Sequence, residues 1–179
     1  GKWHLGSGAQ DLPNSHGFDR SFALDASGAD NWEQKPYMGY YDFAPWYEDG
    51  KPADLPEDFY SSKFIVDRMI RYLESDKQPN RRQPFFSYLA FQAIHIPVQA
   101  PREVTDSYNG VYDQGWHQLR KMRHQRAIAL GLIAPDTALA EMPASSQDWG
   151  NLSPRDRALY ARAMQVQAVM LESMDSHIG

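Results

Sequence analysis

Residues 84–91, Pro-Phe-Phe-Ser-Tyr-Leu-Ala-Phe, form a nearly continuous apolar run bounded by breakers. Such a run is too short for an ordinary helix, and it lacks the polar alternation of a half-solvated strand. It predicts a strand covered on both faces, as in a parallel sheet flanked by helices. Just upstream, Ser61-Ser62 offers a helix start, and Ile65, Met69, Tyr72 and Leu73 share one face of a helix over about 62–75. Helix followed by buried strand is the pattern of an α/β fold. A polar segment ending in proline, Gln92-Ala-Ile-His95-Ile-Pro97, comes directly after the strand.

Elsewhere the chain alternates between loop and helix signals. Residues 1–6, Gly-Lys-Trp-His-Leu-Gly, fit the end of a strand flanked by glycines. Residues 7–60 show little periodicity and are rich in Gly, Pro, Asp and aromatics such as Trp32, Tyr37, Tyr40, Phe43 and Trp46. A stretch this long without elements points to a functional loop region packed on a larger surface. A second helix is expected over about 113–130, closed by Gly131. A third starts after Ser153, with Ser153 as N-cap, Pro154 in the first helical position and Asp156 completing a capping-box pattern. Its expected apolar stripe runs Leu159, Ala163, Val166, Met170, Met174 and Ile178. The length of 179 residues suits one domain, and no internal repeat suggests a second.

Composition narrows the partners. A hydrophobic content of 42% with 13% aromatics can build a core despite a mean hydropathy of -0.64. The net charge of -5 and the lack of a basic patch beyond Arg81-Arg82 and Arg120, Lys121 and Arg123 argue against nucleic acid. No apolar run approaches the ~20 residues of a membrane span. The chain has no cysteine, which removes disulfides, thiolate metal sites and a cysteine nucleophile from these residues. The compartment stays open, and so does the oligomeric state. The chain opens on Gly1-Lys-Trp-His4 without an initiator Met and stops in mid-pattern at Ile178-Gly179, so both ends read as cut.

Three side chains are candidates for chemistry. In an extended segment Lys2 and His4 share a face, with Trp3 on the other. A fixed cation beside an imidazole can grip an anion. At ~4 Å and an effective dielectric of about 20, one lysine attracts a unit negative charge by roughly 4 kcal/mol before desolvation. The alternative is a surface lysine with a packed histidine. His95 lies four residues past the end of the apolar run, where α/β sheets place their ligands, and Pro97 stiffens the backbone just beyond it. Its alternative is a histidine bonded within a loop. His117 and His124, seven apart, lack the spacing of a helical metal pair. His16 and His177 read as structural. Residues 25–30 lack the alternating oxygen ligands of a calcium loop, and Gly6-Ser-Gly8 is a lone GxG.

Gly1-Lys-Trp-His-Leu-Gly6 resembles the second signature of type I, formylglycine-dependent sulfatases of the alkaline-phosphatase-like superfamily. Gly17-Phe-Asp-Arg-Ser-Phe-Ala-Leu24 is similar to the segment that comes next in bacterial arylsulfatases. Residues 84–91 with His95-Ile-Pro97 resemble that family's strand and histidine loop, and Gln99-Ala-Pro-Arg102 extends the match. Tyr160–Met164 through Glu172–Gly179 resemble the helix before its second metal-binding strand. The resemblance implies an alkaline-phosphatase-like α/β sandwich with a mostly parallel sheet, incomplete here. Residues 1–179 would form the central part of one catalytic domain, truncated at both ends.

By the same resemblance the substrate is a small-molecule sulfate ester, aryl or alkyl, cleaved to alcohol and inorganic sulfate. Lys2 matches the lysine that binds the sulfate oxygens. His4 matches the base that releases sulfate from the covalent intermediate. His95 matches the histidine that contacts the sulfate and protonates the leaving alcohol. Ser27 lies where some relatives place a polar residue near the nucleophile. The family also uses calcium and a formylglycine made from cysteine or serine. The motif for that residue and the calcium ligands fall outside these residues, so no metal ligand is assigned. The chain alone is therefore expected neither to bind calcium at the family's site nor to hydrolyse sulfate esters. Alternatives are a phosphodiesterase or phosphonate hydrolase of the same superfamily, a non-catalytic anion-binding relative, or a structural piece that does not fold alone.

Overall fold

A computed structural model describes residues 1–6, 8–75 and 84–179. The Arg81-Arg82 pair and the serine of Gly6-Ser-Gly8 lie outside the described residues. In chain order the elements are β1 (Phe22–Leu24), β2 (Trp46–Glu48), β3 (Lys51–Ala53), α1 (Ser61–Ser75), α2 (Arg102–Asp106), α3 (Gly115–Ala129) and α4 (Pro154–Ile178). Strands and helices both form, as the α/β reading requires. The chain divides into two compact units, residues 1–100 with 169–179, and residues 101–168.

The sheet of the first unit grows from a turn. Asp49 and Gly50 take φ of 49 and 79°, the left-handed pair that closes a two-residue hairpin with strands in register. β2 and β3 accordingly pair antiparallel, with Glu48 opposite Lys51. β1 pairs antiparallel on the other side of β2, Leu24 opposite Trp46. The Asp49 carboxylate locks the turn to the start of β1, accepting from Ser21 N–H and Arg20 Nε, both at 2.9 Å. Phe22, Leu24 and Trp46 are buried in one cluster with Phe59 and, from α1, Ile65 and Val66.

A further extended segment joins β1. Leu24 N–H donates to Gly1 O at 2.9 Å and Trp3 N–H to Leu24 O at 3.5 Å, a parallel bridge between Lys2 and Leu24. On the far side Lys2 N–H donates to Ala90 O at 2.7 Å. A Cβ on Gly1 would come within 2.2 Å of that carbonyl, so only glycine lets the two backbones meet here.

The expected mostly parallel sheet is thus realised differently. Among the described residues its regular ladder is the antiparallel β1-β2-β3 sheet, and the parallel component is the bridge between Lys2 and Leu24. Residues 84–91 form no regular strand and are not buried on both faces. Leu89 and Phe91 pack on the core, whereas Phe85, Phe86 and Tyr88 are 71, 80 and 60% exposed. Two-sided burial needs a second covering layer, and among the described residues only one side has it.

The helices match their signals with one rotation. α1 buries Ile65 and Val66 and half-buries Met69 and Tyr72, leaving Leu73 exposed. In the second unit Trp149 is the centre of a cluster with Tyr112 and Ala161. Gly115 opens α3 because any Cβ would overlap the Trp149 ring, 2.1 Å away. α3 closes with Gly131 N–H on Ile128 O and Leu132 N–H on Ala127 O, both 2.9 Å, the paired bonds of a glycine-terminated helix. Ser153 caps α4, its Oγ accepting from Asp156 N–H at 3.1 Å. The residues of α4 that are buried are Ala161, Gln165, Val169 and Met170, so the expected stripe is turned. Leu159 and Ile178 are exposed, while small Ala161 packs in the Trp149 cluster.

Candidate functional site

Lys2 sits in the extended segment between β1 and residue 90, half-buried. Alternation sends Trp3 away from it, and Trp3 is anchored there. Its indole Nε1 donates to Asp11 O, and its ring lies 5.7 Å from His16 and 5.8 Å from Phe18. His4 then leaves the extended region, with φ of 58°. Left-handed backbone at a non-glycine residue costs on the order of 1–3 kcal/mol and concentrates at functional sites. The turn also ends the strand period, so the shared face of Lys2 and His4 does not follow from alternation alone. His4 is exposed.

His95 occupies the turn just after the extended segment, also exposed. Its N–H donates to Gln92 O at 2.8 Å, and its Nδ1 lies 2.7 Å from Ile96 O. The bond from Lys2 N–H to Ala90 O brings the lysine's backbone alongside the segment that leads to this turn. Among the described residues no hydrogen bond links the side chains of Lys2, His4 and His95 to one another. An open groove of about 1350 Å³ has Lys2, Arg20, Arg68, Tyr72 and Phe86 in its lining, but neither His4 nor His95. Two of its cations are committed elsewhere, Arg20 to Asp49 and Arg68 to Glu48 at 3.0 Å.

Ser27 is buried, next to Gly28. The carboxylate of Asp30, two residues beyond Gly28, is 6% exposed as a residue and already full. Its Oδ1 accepts Trp32 N–H at 2.7 Å and Glu33 N–H at 3.1 Å, and its Oδ2 accepts the Tyr37 hydroxyl at 3.1 Å and Gln99 Nε2 at 2.6 Å. Neither Asp30 nor the Gln99 side chain stands out in the sequence as a site residue; a buried acid reveals itself only by its partners, and Gln99 lies far along the chain. Among the described residues no three His, Asp or Glu side chains gather where they could hold a metal ion. These residues therefore do not by themselves fit a calcium ion.

The family model for sulfatases matches residues 1–179. The chain belongs to the sulfatase family. The arylsulfatase of Klebsiella aerogenes is 36% identical over 181 residues, spanning 100% of this sulfatase chain and 38% of that protein. An uncharacterized sulfatase of Schizosaccharomyces pombe is 34% identical over 187 residues, spanning 100% of this chain and 33% of its own. The sulfatase chain therefore spans about a third of the length of each of these two relatives. A solved structure, Ps i-CgsB, covers 98% of it and 33% of its own length at a TM-score of 0.46 and 18% identity, a likeness too loose to carry an argument.

Proposed function

We propose that this sulfatase chain is the anion-gripping centre of a sulfuric ester hydrolase, one that cleaves a small aryl or alkyl sulfate ester. The observation that carries the reading is that the sulfatase family model spans residues 1–179 and that the chain aligns from end to end with an arylsulfatase. The resemblance of Gly1–Gly6 and of His95-Ile-Pro97 to the family's motifs then assigns Lys2, His4 and His95 their roles. The bond from Lys2 N–H to Ala90 O supports it by joining the two backbone segments concerned.

In this mechanism the Lys2 ammonium binds the sulfate oxygens and offsets the charge that develops as the ester bond breaks. The His95 imidazolium gives its proton to the departing alcohol oxygen. His4, held outside the regular strand by its left-handed backbone, takes a proton in the step that frees inorganic sulfate. A formylglycine, whose motif falls outside these residues, would supply the nucleophile.

The test uses the complete enzyme that carries this segment and a chromogenic aryl sulfate. His95→Ala and His4→Ala should each lower kcat by roughly 10²–10⁴-fold, the usual range for general acid–base groups. Lys2→Ala should lower kcat/KM by a comparable factor. Unchanged turnover in His95→Ala would sink the proposal. The 179-residue chain alone should show no turnover above its own Lys2→Ala variant.

A further inference from the structure

The histidine turn is tied at both ends to one pair of residues. At its start, Gln92 is 6% exposed, and its Nε2 donates to Asp30 O at 3.4 Å. At its end, Gln99 Nε2 donates to Asp30 Oδ2 at 2.6 Å, while Gln99 Oε1 accepts Asn31 N–H at 3.0 Å and Asn31 Nδ2 at 3.3 Å. Asn31 is itself fastened to the first turn of α1. Its carbonyl accepts Ser61 N–H at 2.8 Å, and its Oδ1 accepts the Ser61 hydroxyl at 2.6 Å.

We infer that Gln99 and Asp30 are positioning residues for His95, holding the 92–99 turn on α1 and so setting where the imidazole meets the leaving alcohol. The inference rests on the role of His95 proposed above. An amide side chain has a donor end and an acceptor end, and this site reads both. The donor end meets a carboxylate, a charge-assisted bond of the stronger kind; the acceptor end meets a peptide N–H. Reversing the amide would break both contacts, so one orientation is selected. Among the described residues His95 has no comparable anchor. Its side-chain bond is to Ile96 O, inside the turn, so the imidazole goes where the turn goes. A misplacement of about 1 Å costs on the order of 10²-fold in rate.

A polarity exchange tests this in the complete enzyme with an aryl sulfate. Gln99→Glu sets a carboxylate against the Asp30 carboxylate. Asp30→Asn sets an amide donor against the Gln99 donor. Combined, the two changes restore the pair with donor and acceptor exchanged, and the Oδ1 contacts to Trp32 and Glu33 survive. Each single variant should lower kcat by about 10²-fold with KM little changed, and the double variant should recover to within about tenfold of the parent enzyme. If the single variants fail to fold, Gln99→Ala, which sets no second carboxylate against Asp30, should show the same loss in kcat beyond any fall in its folded fraction. A double variant no better than the worse single, or a Gln99→Ala enzyme with full turnover, overturns the inference. Full turnover in His95→Ala instead sinks the underlying reading of the site, so the two failures are distinguishable.

Discussion

Two regions of the first unit are equally buried and held by opposite means. Around Trp46 the contacts are rings and branched chains: Trp46 stacks on Phe22 at 4.9 Å and meets Phe59 edge-on at 5.4 Å, with Leu24, Ile65 and Val66 filling in. Around Asp30 the buried groups are Asp30, Asn31, Ser61 and Gln92, joined by directed hydrogen bonds. Apolar burial stabilises strongly but without direction. A hydrogen bond adds little net stability but fails steeply when its angle is wrong. The first region should therefore carry the free energy of the fold, and the second the geometry of the His95 turn.

The largest test of that division is Trp46→Ala. Trp46 is fully buried, and truncating a buried large aromatic costs about 3–5 kcal/mol through lost transfer energy and the cavity left behind. Denaturant unfolding should show it as a lower midpoint with an unchanged slope. A loss below about 1 kcal/mol would break the comparison, because the ring cluster would then not be the source of stability.

Asn31→Ala probes the other side. It leaves the Ser61 hydroxyl, 1% exposed as a residue, without the acceptor it uses at 2.6 Å. Stranding a buried polar group costs about 1–3 kcal/mol, less than the tryptophan truncation. The same substitution removes one donor to Gln99 Oε1. Turnover of the complete enzyme should fall by more than the folded fraction does. If turnover merely tracks the folded fraction, the polar cluster is another piece of core and the distinction collapses.

The two regions also differ in how visible they are in the sequence. α1, α3 and α4 are legible because their signals are local: a one-sided apolar face at Ile65, Met69 and Tyr72, a glycine stop at Gly131, and the Ser153 cap. The β2-β3 hairpin has a local signal too, Asp49-Gly50, but its strands are three residues each, too short to stand out within residues 7–60. Residues 84–91 form no regular strand despite their composition, because pairing and burial depend on what lies beside and over them, which no local pattern encodes. The tie from Asp30 to Gln99 spans 69 positions and has no period at all. The left-handed backbone of His4 is equally silent. Lys2, His4 and His95 themselves become candidates chiefly through the sulfatase resemblance, since spacing alone leaves each a bland alternative.

Tyr72 lies where the two styles of packing meet and offers the smallest and sharpest test. Its ring packs beside the apolar cluster, while its hydroxyl lies 3.0 Å from Ser21 O and 2.9 Å from Glu48 Oε1. Burial, and then the Glu48 carboxylate, push the phenol well above its ordinary range. Tyr72→Phe keeps the ring and should cost about 1 kcal/mol at neutral pH, the net worth of a typical hydrogen bond. The pH dependence adds a sign. An unfolded tyrosine ionises near pH 10, whereas the folded one holds its proton to higher pH. Its contribution is therefore complete below about pH 10 and is lost as pH rises beyond that toward the folded value. The parent chain should lose stability above about pH 10 more steeply than Tyr72→Phe, while Tyr60, whose phenol burial also raises, contributes equally to both curves. Coincident curves would mean that the hydroxyl contributes nothing directional, and the boundary between apolar packing and directed bonding would then have to be drawn at the start of α1, at Asn31 and Ser61.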